Sequence, residues 1–319
     1  MSSIRSEVRA AGKWKMRSEE THRDTHALLF QGMCTVTVPV VDRQQSALEQ
    51  VRTVGASQQE CIAADMLSEP DGVDASKDTN DLPPVVLVGN SAIERFKTTG
   101  TETAINKSAM SPSVTFIGDS MMERLKTTGT TTRLNKSAMP KSGVELPRSM
   151  NLGVGGDKIE NLLFRLAGTD QPGKSLDAPL WDLFEDHKQR GQYVKLWVLQ
   201  IGTNSLRPPR GGLRPKEMAL YELVVKALLE LGGQDCKVLC TGLFFRLDVE
   251  DATVTASNGE IAKLVASMNE AGEKRVSFMP ASSTIDKTKH LDDHVHLNGE
   301  GYRLWDEAIV PEVLRLLGE

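Results

Sequence analysis

From Val114 to Leu317 the chain alternates short apolar runs with longer stretches of helical periodicity, and that alternation leaves few folds open. Val114–Ile117, Tyr193–Gly202, Lys237–Phe245 and Val276–Pro280 read as strands, and a further strand ends at Val154 before Gly155-Gly156. Ile159, Leu162, Leu163 and Leu166 recur at helical spacing behind Asp157, a helix-capping residue type. Leu176–His187, Pro215–Leu231, Asn258–Ala271 and Gly299–Leu317 complete the helical set, with Pro215 in a first turn and Pro311 inside the last segment. Five strands separated by helices predict a three-layer α/β/α sandwich around a five-stranded parallel sheet.

Within that frame the run Val114-Thr-Phe-Ile stops at Gly118 and delivers Ser120 before a helix-like segment. A hydroxyl just beyond the carboxyl end of a parallel strand faces the crevice where such sheets bind ligands, beside the amides that open the next helix. Ser120 is therefore read as a nucleophile, although Gly-Asp-Ser is also ordinary turn and capping chemistry.

Three later blocks complete a set: Asn151-Leu-Gly-Val-Gly-Gly-Asp157, Leu196-Trp-Val-Leu-Gln-Ile-Gly-Thr-Asn204, and Asp293-His-Val-His296-Leu-Asn before the last helix. In this order and spacing the four blocks resemble the SGNH (GDSL-type) hydrolase family over about 113–317. The stretch Gly153–Leu166 is most similar to the branch containing the intracellular platelet-activating-factor acetylhydrolase subunits. The resemblance implies a flavodoxin-like strand order, 2-1-3-4-5. It also implies a serine esterase acting on short acyl groups such as acetyl, with Ser120 as nucleophile, His296 as base and Asp293 orienting that base. The Ser120 amide, the Gly156 amide and the Asn204 side chain fall at the family's oxyanion positions. Members of that branch form dimers, so a homodimer is implied too.

The same residues admit other readings. His290, His294 and Asp292 crowd the last block, and His290, His294 and His296 could serve as a metal set, but 280–298 lacks the helical pattern that would put i, i+4 histidines on one face. The glycines of 153–156 could form a tight turn and nothing more, and Asn204 could be a turn-former. Asp119, Arg124, Asp157 and Arg165 read as structural, on caps and helix faces. Arg207–Arg214 reads as a loop on the same side of the sheet, solvated or recognising a charged substrate group. No cofactor and no metal are expected. Gly100–Ser108 and Gly129–Ser137 lack the second glycine and the spacing of a phosphate loop.

An internal repeat complicates the choice of nucleophile. Val85–Met110 recurs, with substitutions, as Val114–Met139, so Ser91 and Ser120 compete for one slot in the sheet. Copy two carries Asp119 where copy one has Asn90, and that favours Ser120. The domain reading is 1–82 poorly patterned and loosely held, 83–112 a duplicate of the nucleophile unit, and 113–319 the hydrolase domain. Within the first segment Cys34–Val41 alternates like a short strand, Ser57–Pro84 is polar and Gly/Pro-rich, and His22 and His26 read as surface residues. The duplication motivates a rival reading, a non-catalytic protein that keeps the fold as a binding or scaffold module. A carbohydrate acetyl esterase would share the mechanism and differ in leaving group.

Composition narrows the partners. A net charge of −5 over 319 residues argues against nucleic acid, for which a basic surplus is expected. The four cysteines are scattered without a Cys-x-x-Cys pair and read as buried reduced thiols. No uncharged apolar run reaches the roughly 18 residues of a membrane helix, and the amino terminus lacks the apolar core of a secretory signal. A small-molecule ester and a cytoplasmic location are expected.

Overall fold

The computed structural model describes residues 3–15, 35–36, 85–86, 114–137, 149–174, 176, 179–189, 191, 193–206 and 211–318. The chain divides into one unit of 1–25 with 111–319 and a second of 26–110.

In the first unit, strands β1 (Val114–Gly118), β2 (Ser149–Gly153), β3 (Leu196–Gln200), β4 (Lys237–Thr241) and β5 (Val276–Met279) form one five-stranded sheet. Every pairing is parallel, and the order is β2-β1-β3-β4-β5. This is the expected 2-1-3-4-5 arrangement. Parallel strands need crossovers that cover both faces, which is why these runs are continuously apolar. Strand periodicity splits the side chains between two layers. Val114, Phe116, Leu196, Val198 and Leu239 pack with Tyr302, Trp305, Ile309 and Val313 of the last helix, Gly299–Leu317. On the opposite face Trp197 stacks edge-on against Phe184 of helix Leu180–Gln189, their ring centroids 4.8 Å apart.

Among the described residues the helices are, in chain order, α1 (Ser3–Ala11), α2 (Ser120–Glu123), α3 (Arg133–Lys136), α4 (Ile159–Ala167), α5 (Leu180–Gln189), α6 (Pro215–Gly232), α7 (Asp251–Glu270) and α8 (Gly299–Leu317). Pro311 lies inside α8 without ending it. Helix α7 starts seven residues before the expected Asn258, in a stretch rich in threonine. Ser257 Oγ accepts from Leu213 N at 3.1 Å, and the Asn258 side chain bonds both the amide and the carbonyl of Leu243.

The expectation that 1–82 is loosely held is corrected for its beginning. Residues 3–15 form α1 and a short arm that docks on α4. Val8 is fully buried, Lys13 N donates to Glu160 O at 2.9 Å, and Asn161 Nδ2 returns a bond to Lys13 O at 3.0 Å. Thr169 Oγ1 donates to Gly12 O at 2.6 Å, and Arg5 and Arg9 pair with Asp182 and Asp170.

The second unit shows Thr35–Val36 paired antiparallel with Val85–Val86. The rest of repeat copy one with Asn90 and Ser91, the histidines His22 and His26, Ser57–Pro84 and Arg207–Arg210 lie outside the described residues. Copy two supplies β1, which pairs with β2 on one side and β3 on the other. Cys236 and Cys240 are buried free thiols, and burial pushes each up to about 12. Among the described residues no helix is long and apolar enough to cross a membrane.

Candidate active site

Strand β1 ends where the sheet is most crowded. A Cβ at Gly118 would stand 1.8 Å from the Gln200 carbonyl oxygen, so only glycine lets β1 leave the sheet here. The next residue, Asp119, is fully buried and caps α2 by accepting from Met121 N at 3.1 Å. Ser120 follows as the first residue of that helix, so its amide has no intrahelical acceptor. From α8, Tyr302 Oη donates to Met121 O at 2.9 Å and pins the turn to the helical layer.

The block 291–297 closes on itself as a small loop. Leu291 and Leu297 bridge, Asp292 N donates to His296 O at 2.8 Å, and Leu297 is fully buried. Closure turns Asp293 and His296 toward β1. His296 Nε2 lies 2.9 Å from Ser120 Oγ, and His296 Nδ1 lies 2.7 Å from Asp293 Oδ2. The other oxygen of Asp293 accepts from Val295 N at 2.7 Å and His296 N at 2.8 Å. Partial burial pushes the Asp293 carboxyl upward, but the His296 amide and ring and the Val295 amide outweigh it and hold it well below the usual carboxylate range. An acid so held stays ionised, the state that favours an N–H on the facing Nδ1 and leaves Nε2 to accept from a hydroxyl.

The neighbouring histidines turn elsewhere. His290 Nδ1 accepts from Asp286 N at 2.9 Å, and His294 Nε2 stands 3.8 Å from Asp248 on an exposed side chain. Among the described residues no group of three or more His, Cys, Asp or Glu is placed to hold a metal ion. Arg124, read from sequence as structural, reaches the acid loop: its guanidinium is 3.5 Å from Asp293 Oδ2 and 3.5 Å from Asp292 Oδ2. No spacing in the sequence marks that contact, because the two partners meet only after the sheet forms.

The other two blocks follow the strands that flank β1. Gly156 has φ +73, a conformation that L side chains rarely adopt, and its carbonyl takes a 2.6 Å bond from Lys15 Nζ of the amino-terminal arm. Asn204 Nδ2 donates to Asp157 O at 3.0 Å, which draws the third block against the second and leaves the second amide proton for a ligand. Beneath them Arg165 of α4 is buried, donating to Asp157 Oδ2 at 2.7 Å, Leu152 O at 3.0 Å and Gly118 O at 3.1 Å. One guanidinium thus ties together the ends of β1 and β2 and the glycine turn.

Asp119 sits under this arrangement with one oxygen that has no hydrogen-bond partner among the described residues. Burial pushes its carboxyl up to about 7, with Asp157 adding to the rise while the Met121 amide and the Arg246 charge oppose it. A folded pKa above the ordinary carboxylate value means that the fold prefers the protonated acid. This contribution is fully present below about pH 4 and is lost as pH rises through about 7, a change of up to about 4 kcal/mol. Denaturant unfolding at pH 5 and pH 8 is therefore expected to favour Asp119→Asn over the wild type progressively more at the higher pH. A difference between the two proteins that stays constant across that range is the outcome that refutes this.

A parallel α/β/α sandwich in order 2-1-3-4-5, with a serine, histidine and aspartate hydrogen-bonded in series at the carboxyl ends of its strands, is the architecture that the SGNH resemblance implies. No protein-family model matches the chain, and no curated protein matches it. Among solved structures it is similar to a family two carbohydrate esterase from Clostridium thermocellum, at 14% identity and a TM-score of 0.47, covering 66% of this chain and 65% of that one. It is similar to a member of the lipolytic protein G-D-S-L family from Veillonella parvula, at 16% identity and a TM-score of 0.44, covering 63% and 98%. A GDSL-like lipase from Bacteroides thetaiotaomicron gives 16% identity and a TM-score of 0.44, covering 70% and 97%. The chain thus matches just under two thirds of the length of the carbohydrate esterase. Likenesses this distant transfer neither an activity nor a substrate, so the chemistry has to come from the site's own geometry.

Proposed function

We propose that this protein is a metal-independent serine esterase of SGNH type that removes a short acyl group, acetyl among them, from a small-molecule ester. The observation that carries the reading is the continuous chain Ser120 Oγ to His296 Nε2 at 2.9 Å and His296 Nδ1 to Asp293 Oδ2 at 2.7 Å. In this mechanism Ser120 Oγ attacks the ester carbonyl while His296 takes its proton, and ionised Asp293 stabilises the imidazolium that forms. The tetrahedral oxyanion accepts from the Ser120 and Gly156 amides and from Asn204 Nδ2. His296 returns the proton to the departing alcohol, and water then releases the acyl group from Ser120 by the reverse roles. Every group the reaction needs is supplied by a side chain or an amide, so a chelator leaves the rate unchanged.

The test is hydrolysis of p-nitrophenyl acetate and longer p-nitrophenyl esters, acetylated sugars and acetylated glycerolipids, with a chelator present throughout. Turnover that falls as the acyl chain lengthens supports the reading. Silence on every ester, together with failure of a serine-directed phosphonate to label the protein, moves the non-catalytic binding module ahead. Asn204→Ala is expected to lower kcat by about 10²–10³-fold with little change in KM, since the lost donor acts on charge that develops only in the transition state. An equal loss through KM alone would remove Asn204 from the oxyanion role.

A further inference from the structure

We propose that the cavity walled by Lys158 and Ser205, each next in sequence to a residue of the candidate site's second and third blocks, is an anion subsite, and that the ester hydrolysed here carries a phosphate or carboxylate on its alcohol side. The anion half of this inference stands on the cavity alone; the substrate half rests on the esterase reading. The cavity, of about 200 Å³, is lined by Lys13, Lys158, Arg214 and Lys216, with Ser205 among the other wall residues. Those four cations come from three separate parts of the chain: the arm after α1, the residue preceding α4, and the start of α6. Their convergence therefore depends on the docked arm. It also runs against the chain's overall charge of −5.

Two carboxylates share the wall, and both are engaged. Glu217 receives the Arg214 guanidinium at both of its oxygens, and Glu160 lies 3.9 Å from Lys13 Nζ. Lys158 and Lys216 form no ion pair among the described residues, so the cavity keeps a surplus of positive charge. The cavity also opens onto the first turn of α6, an 18-residue helix whose N-cap, Arg214, makes no side-chain capping bond. Of its early residues Pro215 has no N–H and the Glu217 amide bonds its own carboxylate, which leaves the Lys216 amide as an oriented donor for an anion.

Position connects the cavity to catalysis. Ser205 is the residue after Asn204, and Lys158 is the residue after Asp157, whose carbonyl holds the Asn204 side chain. This adjacency in the chain is what ties the subsite to the ester in the proposal. A short acyl group has no room for a charged substituent, which places the anion on the alcohol side.

The experiment uses the full chain and a Lys158→Met/Lys216→Met double variant, with inorganic phosphate as the binding probe in calorimetry at constant ionic strength. The expected result is phosphate binding by the wild type that weakens about tenfold or more in the double variant, the scale set by removing two nearby charges. The ratio of kcat/KM for 4-acetoxybenzoate to that for p-nitrophenyl acetate is expected to fall by a similar factor, and phosphate is expected to compete with 4-acetoxybenzoate. No phosphate binding by the wild type, or equal binding by both proteins, overturns the subsite. Binding that the variant loses but that never competes with the anionic ester overturns the assignment to substrate. A wild type that binds phosphate and hydrolyses no ester sinks the esterase reading and leaves the anion site standing. Should the double variant fail to fold, Lys216→Met alone, at an exposed position in the first turn of α6, gives the same readouts.

Discussion

Replacing Ser120 by alanine is expected to abolish ester hydrolysis, with kcat falling by about 10⁴–10⁶-fold, the range seen when one member of a nucleophile, base and acid set is removed. The fold should survive. Among the described residues Ser120 Oγ bonds His296 Nε2, while the turn itself is held by Asp119, Tyr302 and the pairing of β1 on both sides. Thermal unfolding of Ser120→Ala should therefore match the wild type while turnover disappears. His296→Ala and Asp293→Ala should each fall toward the same floor and, combined with Ser120→Ala, lose little more, because the three act as a unit. The informative comparison is Ser91→Ala, since Ser91 occupies the equivalent place in the first repeat copy. It should retain wild-type turnover, because copy two forms the central strand. A loss of activity in Ser91→Ala with activity retained in Ser120→Ala would reverse the assignment.

Arg165→Met should produce the largest loss of stability of any single substitution near the site, about 3–5 kcal/mol, as expected when one partner of a buried ion pair is removed and the other stays behind. Arg165 and Asp157 are almost entirely shielded from solvent, with side-chain exposures of 2% and 0%. The substitution strips Asp157 of its guanidinium partner and also leaves the Leu152 and Gly118 carbonyls without the donors they now use. Arg165→Lys keeps the charge but cannot reproduce three directed bonds from a planar fork, so its loss should be intermediate. The readout is the denaturant midpoint at unchanged slope. A shift of Arg165→Met within about 0.5 kcal/mol of wild type, the range of an ordinary surface substitution, would show that the pair does not hold the strand ends together.

These expectations draw unequally on sequence and structure. The strand and helix alternation was legible because the period of apolar residues is a local property, and the site blocks were legible because a turn after a strand demands particular residues at short range. Ser120 behind Gly118 is a signal of that kind, whereas Asp293 three residues before His296 takes its meaning from the family resemblance. From the sequence Arg124 and Arg165 read as structural, on caps and helix faces, and Arg165 is structural on α4; what the sequence does not mark is which groups the two reach. Their partners, Asp293 for Arg124 and the ends of two strands for Arg165, become neighbours only through the crossovers. Residues 3–15 were missed for a related reason. A nine-residue helix is marginal alone, and α1 is held by a surface on α4 about 150 residues away in the chain.

What the sequence determined by itself is the succession of elements, the parallel character of the sheet and the order of the four chemical blocks, since periodicity and turn chemistry act over a few residues. Residue pattern favoured copy two and His296, while tertiary structure decided the distances that put copy two in the sheet and His296 at Ser120, how far Asp119 is lifted by burial, and that an amino-terminal arm closes one wall of a cationic cavity. All four depend on desolvation or on distances between residues far apart in the chain, and these acquire values only when the layers pack.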